Sequence, residues 1–242
     1  DKAVFVFGKN SLMRRAVEDL KKELDGLGIA TRFDDAHCLL FADLPATNGS
    51  DKALGLIAHM DTSPDAPGND VRPQVLRYEG EPLVLNGLKG ILFPVSQFPE
   101  IEKYRGEEVV FTDGTTLLGA DDKAGVAAVM SMAAFVMAHP ELPHAKLCIG
   151  FTPDEEVARG TVNFDIPAFG AAYAYTFDGG EVGTLESENF NAGTAIVTVR
   201  GVGVHPGLAK DKMVNAVRYA SKFVDGLPMA ESPERTEGHE GF

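Results

Sequence analysis

Four acidic or histidine-containing clusters stand in a fixed order along this chain: His59-Met60-Asp61, Asp121-Asp122, Glu155-Glu156 and Asp178. Each adjoins an apolar run and is soon followed by glycine or proline. Imidazole and carboxylate donors delivered by the ends of several strands are what a dinuclear metal centre requires. In an extended segment residues two apart point the same way, so His59 and Asp61 can face one site. His59 suits a neutral imidazole ligand, and Asp61 a carboxylate that accepts the other ring N–H and fixes the tautomer. The paired carboxylates Asp121 and Asp122 call for neutralisation by metal or by Lys123, and Asp121 can bridge two ions through its two oxygens. Glu155 and Glu156 project in different directions. One of them can bind metal while the other serves as general base toward substrate.

Taken singly, each cluster also admits a plain reading. His59 can be a hydrogen-bonded strand-end histidine, Asp122 a helix N-cap, Glu155-Glu156 a solvated turn after Pro153, and Asp178 a turn residue before two glycines. Four such clusters at the ends of apolar runs together favour the metal reading. Competing signatures are missing from the sequence: no His-Glu-x-x-His, no Gly-x-Ser-x-Gly, no phosphate-binding loop and no cysteine pairing for a structural zinc.

The elements that would position these residues follow from periodicity. Ser11 can cap a helix with apolar Leu12, Ala16, Leu20 and Leu24 at four-residue spacing, stopped by Gly26 and Gly28. Strand-like runs span 37–44 and 53–58, the second ending on His59. Residues 61–73 read as loop, and 75–110 as irregular with short β-like pieces near Leu83 and Ile91. The almost wholly apolar stretch 123–139 reads as a buried helix. Strands over 145–151 and 172–177 then deliver Glu155-Glu156 and Asp178. Alternating strands and helices with polar clusters at strand ends predict an α/β fold, with a mixed central sheet flanked by helices. After Asn189 the texture changes. Residues 195–199 alternate as a half-buried strand does, His205-Pro206-Gly207 forms a loop, and a helix spans about 213–224. These features divide the chain into two domains, 1–190, which carries the four clusters, and the start of an α+β domain, 191–242.

The chain has 242 residues, 44% apolar and 24% charged, as an ordinary globular protein does. Its formal charge of −14 opposes a phosphate backbone and argues against nucleic acid. That charge either favours cationic substrates, such as peptides with a free amino terminus, or confers solubility alone. No basic-apolar leader opens the chain, and its longest apolar stretch, 126–138, is broken by Ser131. Neither secretion nor membrane insertion is indicated. Cys38 and Cys148 lie in apolar runs and read as buried free thiols of a reducing, cytoplasmic compartment. The chain starts at Asp1 without Met and stops after a Pro/Glu/Gly-rich stretch, as a fragment of a longer protein would.

Several segments resemble the peptidase T family, the tripeptide aminopeptidase branch of the dinuclear-zinc aminoacylase and carboxypeptidase superfamily. They are Ala58-His59-Met60-Asp61-Thr62-Ser63-Pro64-Asp65, the run Thr116 to Gly125 around Gly119-Ala120-Asp121-Asp122-Lys123, and Phe151-Thr152-Pro153-Asp154-Glu155-Glu156. Asp178-Gly179-Gly180-Glu181, Glu188-Asn189-Phe190-Asn191, Val204-His205-Pro206-Gly207 and the run Ala230 to Gly238 extend the match. The resemblance implies a metallo-aminopeptidase that releases the N-terminal residue of tripeptides with two Zn2+ per complete active site. It assigns His59 and Asp178 to one zinc, Asp121 as the bridge, and Glu156 to the second zinc. Asp61 is then the carboxylate that orients His59, Glu155 the general base, and His205 a substrate-binding residue of the lid. It implies a cis peptide bond at Asp121–Asp122 and allows a homodimer through the lid. The last histidine ligand of the second zinc and a lid arginine, expected from the family, are not in these 242 residues, and His239 is a poor substitute. One zinc is thus fully served and the other has two ligands. A related dipeptidase, an N-acyl-amino-acid deacylase and an inactive peptide-binding fragment are the alternatives.

Overall fold

The computed structural model of the chain describes residues 12–188, 191–236 and 241. Two compact units divide it, residues 1–184 and 185–242. The expected cap Ser11, the Asn189-Phe190 pair and His239 lie outside the described residues.

The first unit is built on a mixed five-stranded sheet. Strands β1 (Ala30–Asp34), β2 (Leu39–Leu44) and β3 (Ala53–His59) come early in the chain. Four short strands follow, β4 (Gln74–Arg77), β5 (Leu83–Asn86), β6 (Ile91–Phe93) and β7 (Glu108–Phe111). After helix α2 (Ala120–Ala138) come β8 (Lys146–Thr152), the single-turn α3 (Ile166–Phe169) and β9 (Tyr173–Thr176). The sheet order is β1-β2-β8-β3-β9, with β3 parallel to both β8 and β9. The chain is therefore of the α/β class, as its alternation of strands and helices implies.

Period-two burial sorts the strands' side chains onto two faces. Leu40, Ala42, Leu44, Leu56, Ala58, Leu147, Ile149 and Phe151 pack with Val17 and Leu24 of α1 (Leu12–Gly26) and with Val129, Met130 and Ala133 of α2. Leu39, Phe41, Ala53 and Cys148 face the other way, against Phe164 and Phe169. Both cysteines are buried and free. No helix among the described residues is long and apolar enough to cross a membrane.

Several expectations need correction. In α1 the core-facing positions are Met13, Val17, Leu20 and Leu24, whereas Leu12 is 65% exposed. The seam is therefore a 4-3-4 stripe rather than a straight four-residue row, since 3.6 residues make a turn. Helix α2 is buried on one face only, with Phe135 and Met137 exposed, because the sheet covers just one side of it. Strand β1 went unrecognised: its half-exposed edge position leaves no clean alternation to read. The irregular stretch folds as two separate pairs, β4 with β7 and β5 with β6, around Tyr78, Ile101 and Phe111.

In the second unit residues 195–199 form no strand, and Ile196 is 89% exposed. Alternation marks a half-buried strand only where a partner strand exists, and here the pairing is a lone bridge between Val202 and Val214. Helix α4 (Ala216–Asp225) starts later than expected, where the Asn215 side chain accepts from the Val217 and Arg218 N–H groups.

Candidate metal centre

Parallel pairing brings three of the four clusters to one sheet edge. His59 ends β3 opposite Thr152 of β8, and the ladder continues one step through Met60 N–H to Thr152 O at 2.8 Å. On the other side Ile57 is opposite Thr176 of β9, and Phe177 N–H donates to Ile57 O at 2.8 Å. Counting two residues on from that pair puts Asp178 level with His59. Ligands outside the carboxyl ends of parallel strands are the general rule for such sheets.

The donors converge as this topology requires. Nε2 of His59 lies 2.8 Å from Asp121 Oδ1, 3.7 Å from Asp178 Oδ2 and 3.9 Å from Glu155 Oε2. One donor atom each from His59, Asp121 and Asp178 fall within 4.8 Å of one another. His59 is buried, while Asp121, Asp178 and Glu155 are exposed. Glu156 borders the group, and beside it opens a cleft of about 450 Å3 lined by Ser63, Leu117, Leu118, Gly119, Asp121 and Glu156. Asp121–Asp122 is a cis peptide bond, as the resemblance implied.

The expected partnership of Asp61 with His59 takes a different form. Nδ1 of His59 is 3.0 Å from the Asp61 backbone carbonyl and 3.4 Å from its carboxylate. A carbonyl can only accept, so Nδ1 carries a proton, and Nε2 is the nitrogen that faces the carboxylates. The Asp61 carboxylate reaches across to the next cluster. Its Oδ1 accepts from Glu155 N–H and its Oδ2 from Glu156 N–H, both at 3.1 Å. It thereby holds the Glu155–Val157 turn against the end of β3.

Asp122, left open between cap and ligand, is a cap. Asp121 and Asp122 both depart from helical angles, and Oδ1 of Asp122 accepts from Gly125 N–H at 3.0 Å, three positions on, as an N-cap does. Its Oδ2 accepts from His59 N–H at 3.0 Å. Gly125 had no assigned role. A Cβ there would overlap the Phe177 carbonyl oxygen and the Asp122 carboxylate, so the missing side chain lets the start of α2 approach the exit of β9. The Asp-x-x-Gly spacing after an apolar run is a signal for both features.

Electrostatically the site is dominated by carboxylates. Burial pulls the His59 imidazole down, but the hydrogen bond to Asp121 and the charges of Asp61, Asp122 and Asp178 outweigh it and hold it above its ordinary value. Burial pushes Asp122 up to about 6, against the lowering effect of the N–H groups it accepts from. Glu156 is raised, first by burial and then by the charge of Asp121. One imidazole among carboxylates, with Nε2 aimed at them, is a donor set that fits zinc, and binding would displace the proton that Nε2 shares with Asp121.

His205 belongs to the second unit. Its Nδ1 accepts from Gly207 N–H at 3.2 Å, which leaves the proton on Nε2.

Residues 187–242 match the family described as the peptidase dimerisation domain. Peptidase T of Clostridium acetobutylicum is 50% identical over 227 residues, which is 93% of this chain and 56% of that protein. Peptidase T of Clostridium botulinum strain Okra is 48% identical over 225 residues, 92% of this chain and 55% of that protein. Among solved structures, aminopeptidase PepT from Bacillus cereus ATCC 10987 superposes with a TM-score of 0.55 at 27% identity, covering 87% of this chain and 50% of that one. A tripeptidase from Staphylococcus aureus shares the fold at the same TM-score and 20% identity, over 91% of this chain and 52% of that one. The chain spans about half the length of the curated relatives it matches.

Proposed function

From a chain homologous to peptidase T along 93% of its length, we propose that the protein carrying it is a zinc-dependent aminopeptidase that releases the N-terminal residue of tripeptides. The observation that carries this is the convergence of His59, Asp121 and Asp178 donor atoms within 4.8 Å, with the Glu155 carboxylate 3.9 Å from His59 Nε2. His59, Asp121 and Asp178 would hold one zinc, and Asp121 with Glu156 would serve a second. When bound, the metal supplies Lewis acidity that lowers the pKa of water and polarises the peptide carbonyl.

The chain's own residues do the rest. Asp61 carbonyl keeps the His59 proton on Nδ1, and the Asp61 carboxylate holds Glu155 and Glu156 in place through their N–H groups. Glu155, half exposed, takes the proton of the attacking water and returns it to the leaving amine. His205, protonated at Nε2, donates toward the developing oxyanion. Residues 1–190 form the catalytic domain and 191–242 the first part of the lid, through which two copies associate. The dimerisation-domain match over 187–242 supports that division and the homodimer. The buried free thiols of Cys38 and Cys148 support a cytoplasmic home.

The test is Glu155→Gln in the whole protein. Zinc content should be unchanged and tripeptide turnover should fall by 100-fold or more, on the order of a lost general base. A near-wild-type rate removes Glu155 as the base. A panel of di-, tri- and N-acylated peptides separates the tripeptidase from a dipeptidase or deacylase of the same superfamily.

A further inference from the structure

We propose that Asp122 is a positioning residue that sets the spacing of His59, Asp121 and Asp178 by parting the ends of β3 and β9, without itself holding metal. The proposal rests on the reading of that trio as a metal site.

The evidence begins with an interrupted ladder. In the parallel pair β3–β9, Phe177 N–H donates to Ile57 O. Continuation of that pattern would next run from His59 N–H to Phe177 O. The His59 N–H instead donates to Asp122 Oδ2 at 3.0 Å. A side chain from the start of α2 has taken the acceptor position that the neighbouring strand would have filled. Phe177 O is correspondingly turned toward Gly125, where only the absence of a Cβ makes room for it. Beyond this point the two strands no longer pair, and their next donors are His59 itself and Asp178, with Nε2 and Oδ2 3.7 Å apart.

The same carboxylate ties down the third donor. Its Oδ1 accepts from Gly125 N–H at 3.0 Å, which anchors the first turn of α2, and Asp121 is joined to it by the intervening peptide bond. Asp122 is 3% exposed, and both its oxygens are occupied by backbone donors from two different elements. A buried carboxylate is expensive unless such donors satisfy it. An ordinary N-cap needs only the bond to Gly125 and sits at the surface. The bond to His59 is the excess over capping, and it is the one that registers strand against helix at the metal site.

Two substitutions separate positioning from capping. Asp122→Asn is isosteric but turns an NH2 toward one of the two N–H donors. Asp122→Ser keeps a hydroxyl that can cap Gly125, yet is too short to reach His59 as well. Zinc affinity of the 242-residue chain is read by competition with a chromophoric chelator, well below the melting temperature, with folding followed by circular dichroism. Val129→Ala, a fully buried position on α2, is the control for loss of stability alone. Wild type and Val129→Ala should bind alike, and both Asp122 variants should bind roughly 10–100-fold more weakly, as lost outer-shell support does. Full affinity in Asp122→Ser reduces the residue to a cap and overturns the proposal, as does full affinity in Asp122→Asn. Should Asp122→Asn fail to fold, the serine variant decides. Failure of the wild-type chain to bind zinc overturns the metal reading itself, which is a different arm of the same experiment.

Discussion

Gly125→Ala places a methyl group where the start of α2 meets the exit of β9. Two effects of opposite sign compete. Alanine is the better helix former, by up to about 1 kcal/mol, and that gain shrinks in the first turn, where Gly125 sits three residues after its cap. Against it, the new Cβ would come closer than 3.0 Å to the Phe177 carbonyl oxygen and the Asp122 carboxylate. Neither is the loose end of a flexible side chain. One is backbone, and the other is held by two hydrogen bonds. The Cβ would lie 1.9 Å from that oxygen, so to restore a contact of about 3.5 Å the helix start and the strand exit must separate by roughly 1.5 Å. Forced overpacking of this kind costs about 1–3 kcal/mol, so destabilisation wins by about 1–2 kcal/mol. The displacement falls on Asp178, one residue beyond Phe177, and a shift of roughly 1 Å is enough to spoil a ligand site. Urea unfolding of the metal-free chain should show the lower midpoint, and chelator competition should show zinc binding weakened about 10-fold or more. A Gly125→Ala chain as stable as wild type with unaltered zinc affinity would refute the close approach from which this is reasoned.

Three further outcomes concern the same site. Calorimetric titration of the 242-residue chain should find one tight zinc, because His59, Asp121 and Asp178 converge while Glu156 shares only Asp121; two equally tight sites would contradict this. Saturating that site at about 100-fold over its Kd should raise unfolding free energy by about 2.7 kcal/mol, reversed by chelator, as thermal melts in each condition will report. Asp61→Asn keeps one acceptor for the Glu155 and Glu156 N–H groups and opposes the other with an amide, a loss of about 1–3 kcal/mol. The turn should then loosen, seen as faster amide exchange at Glu155 and Glu156; unchanged exchange would show that the carboxylate does not hold it.

The residues that gather at this site were legible before any fold was known, because a donor group's identity lies in its side chain. His59, Asp121, Glu155, Glu156 and Asp178 stand beside apolar runs, and the run of strand and helix periods was enough to assign an α/β class. What those residues do to one another was not legible. Asp61 and His59 are near neighbours, so sequence spacing suggests that the carboxylate serves the imidazole. In the fold the carboxylate serves the Glu155–Val157 turn, more than ninety positions away, and the backbone carbonyl serves the imidazole. Likewise the apolar α2 is half exposed, and residues 195–199 alternate without becoming a strand, because burial and pairing depend on what lies opposite.

Glycine 125 and Asp122 mark the boundary between the two kinds of information. Local sequence offered Asp122 as a helix cap, a matter of one turn's hydrogen bonds. Only the tertiary structure decided that the cap's second oxygen meets His59 N–H and that the glycine meets Phe177. Those contacts depend on β3 lying between β8 and β9 in one register, and register is set by long-range pairing that no short window of sequence contains.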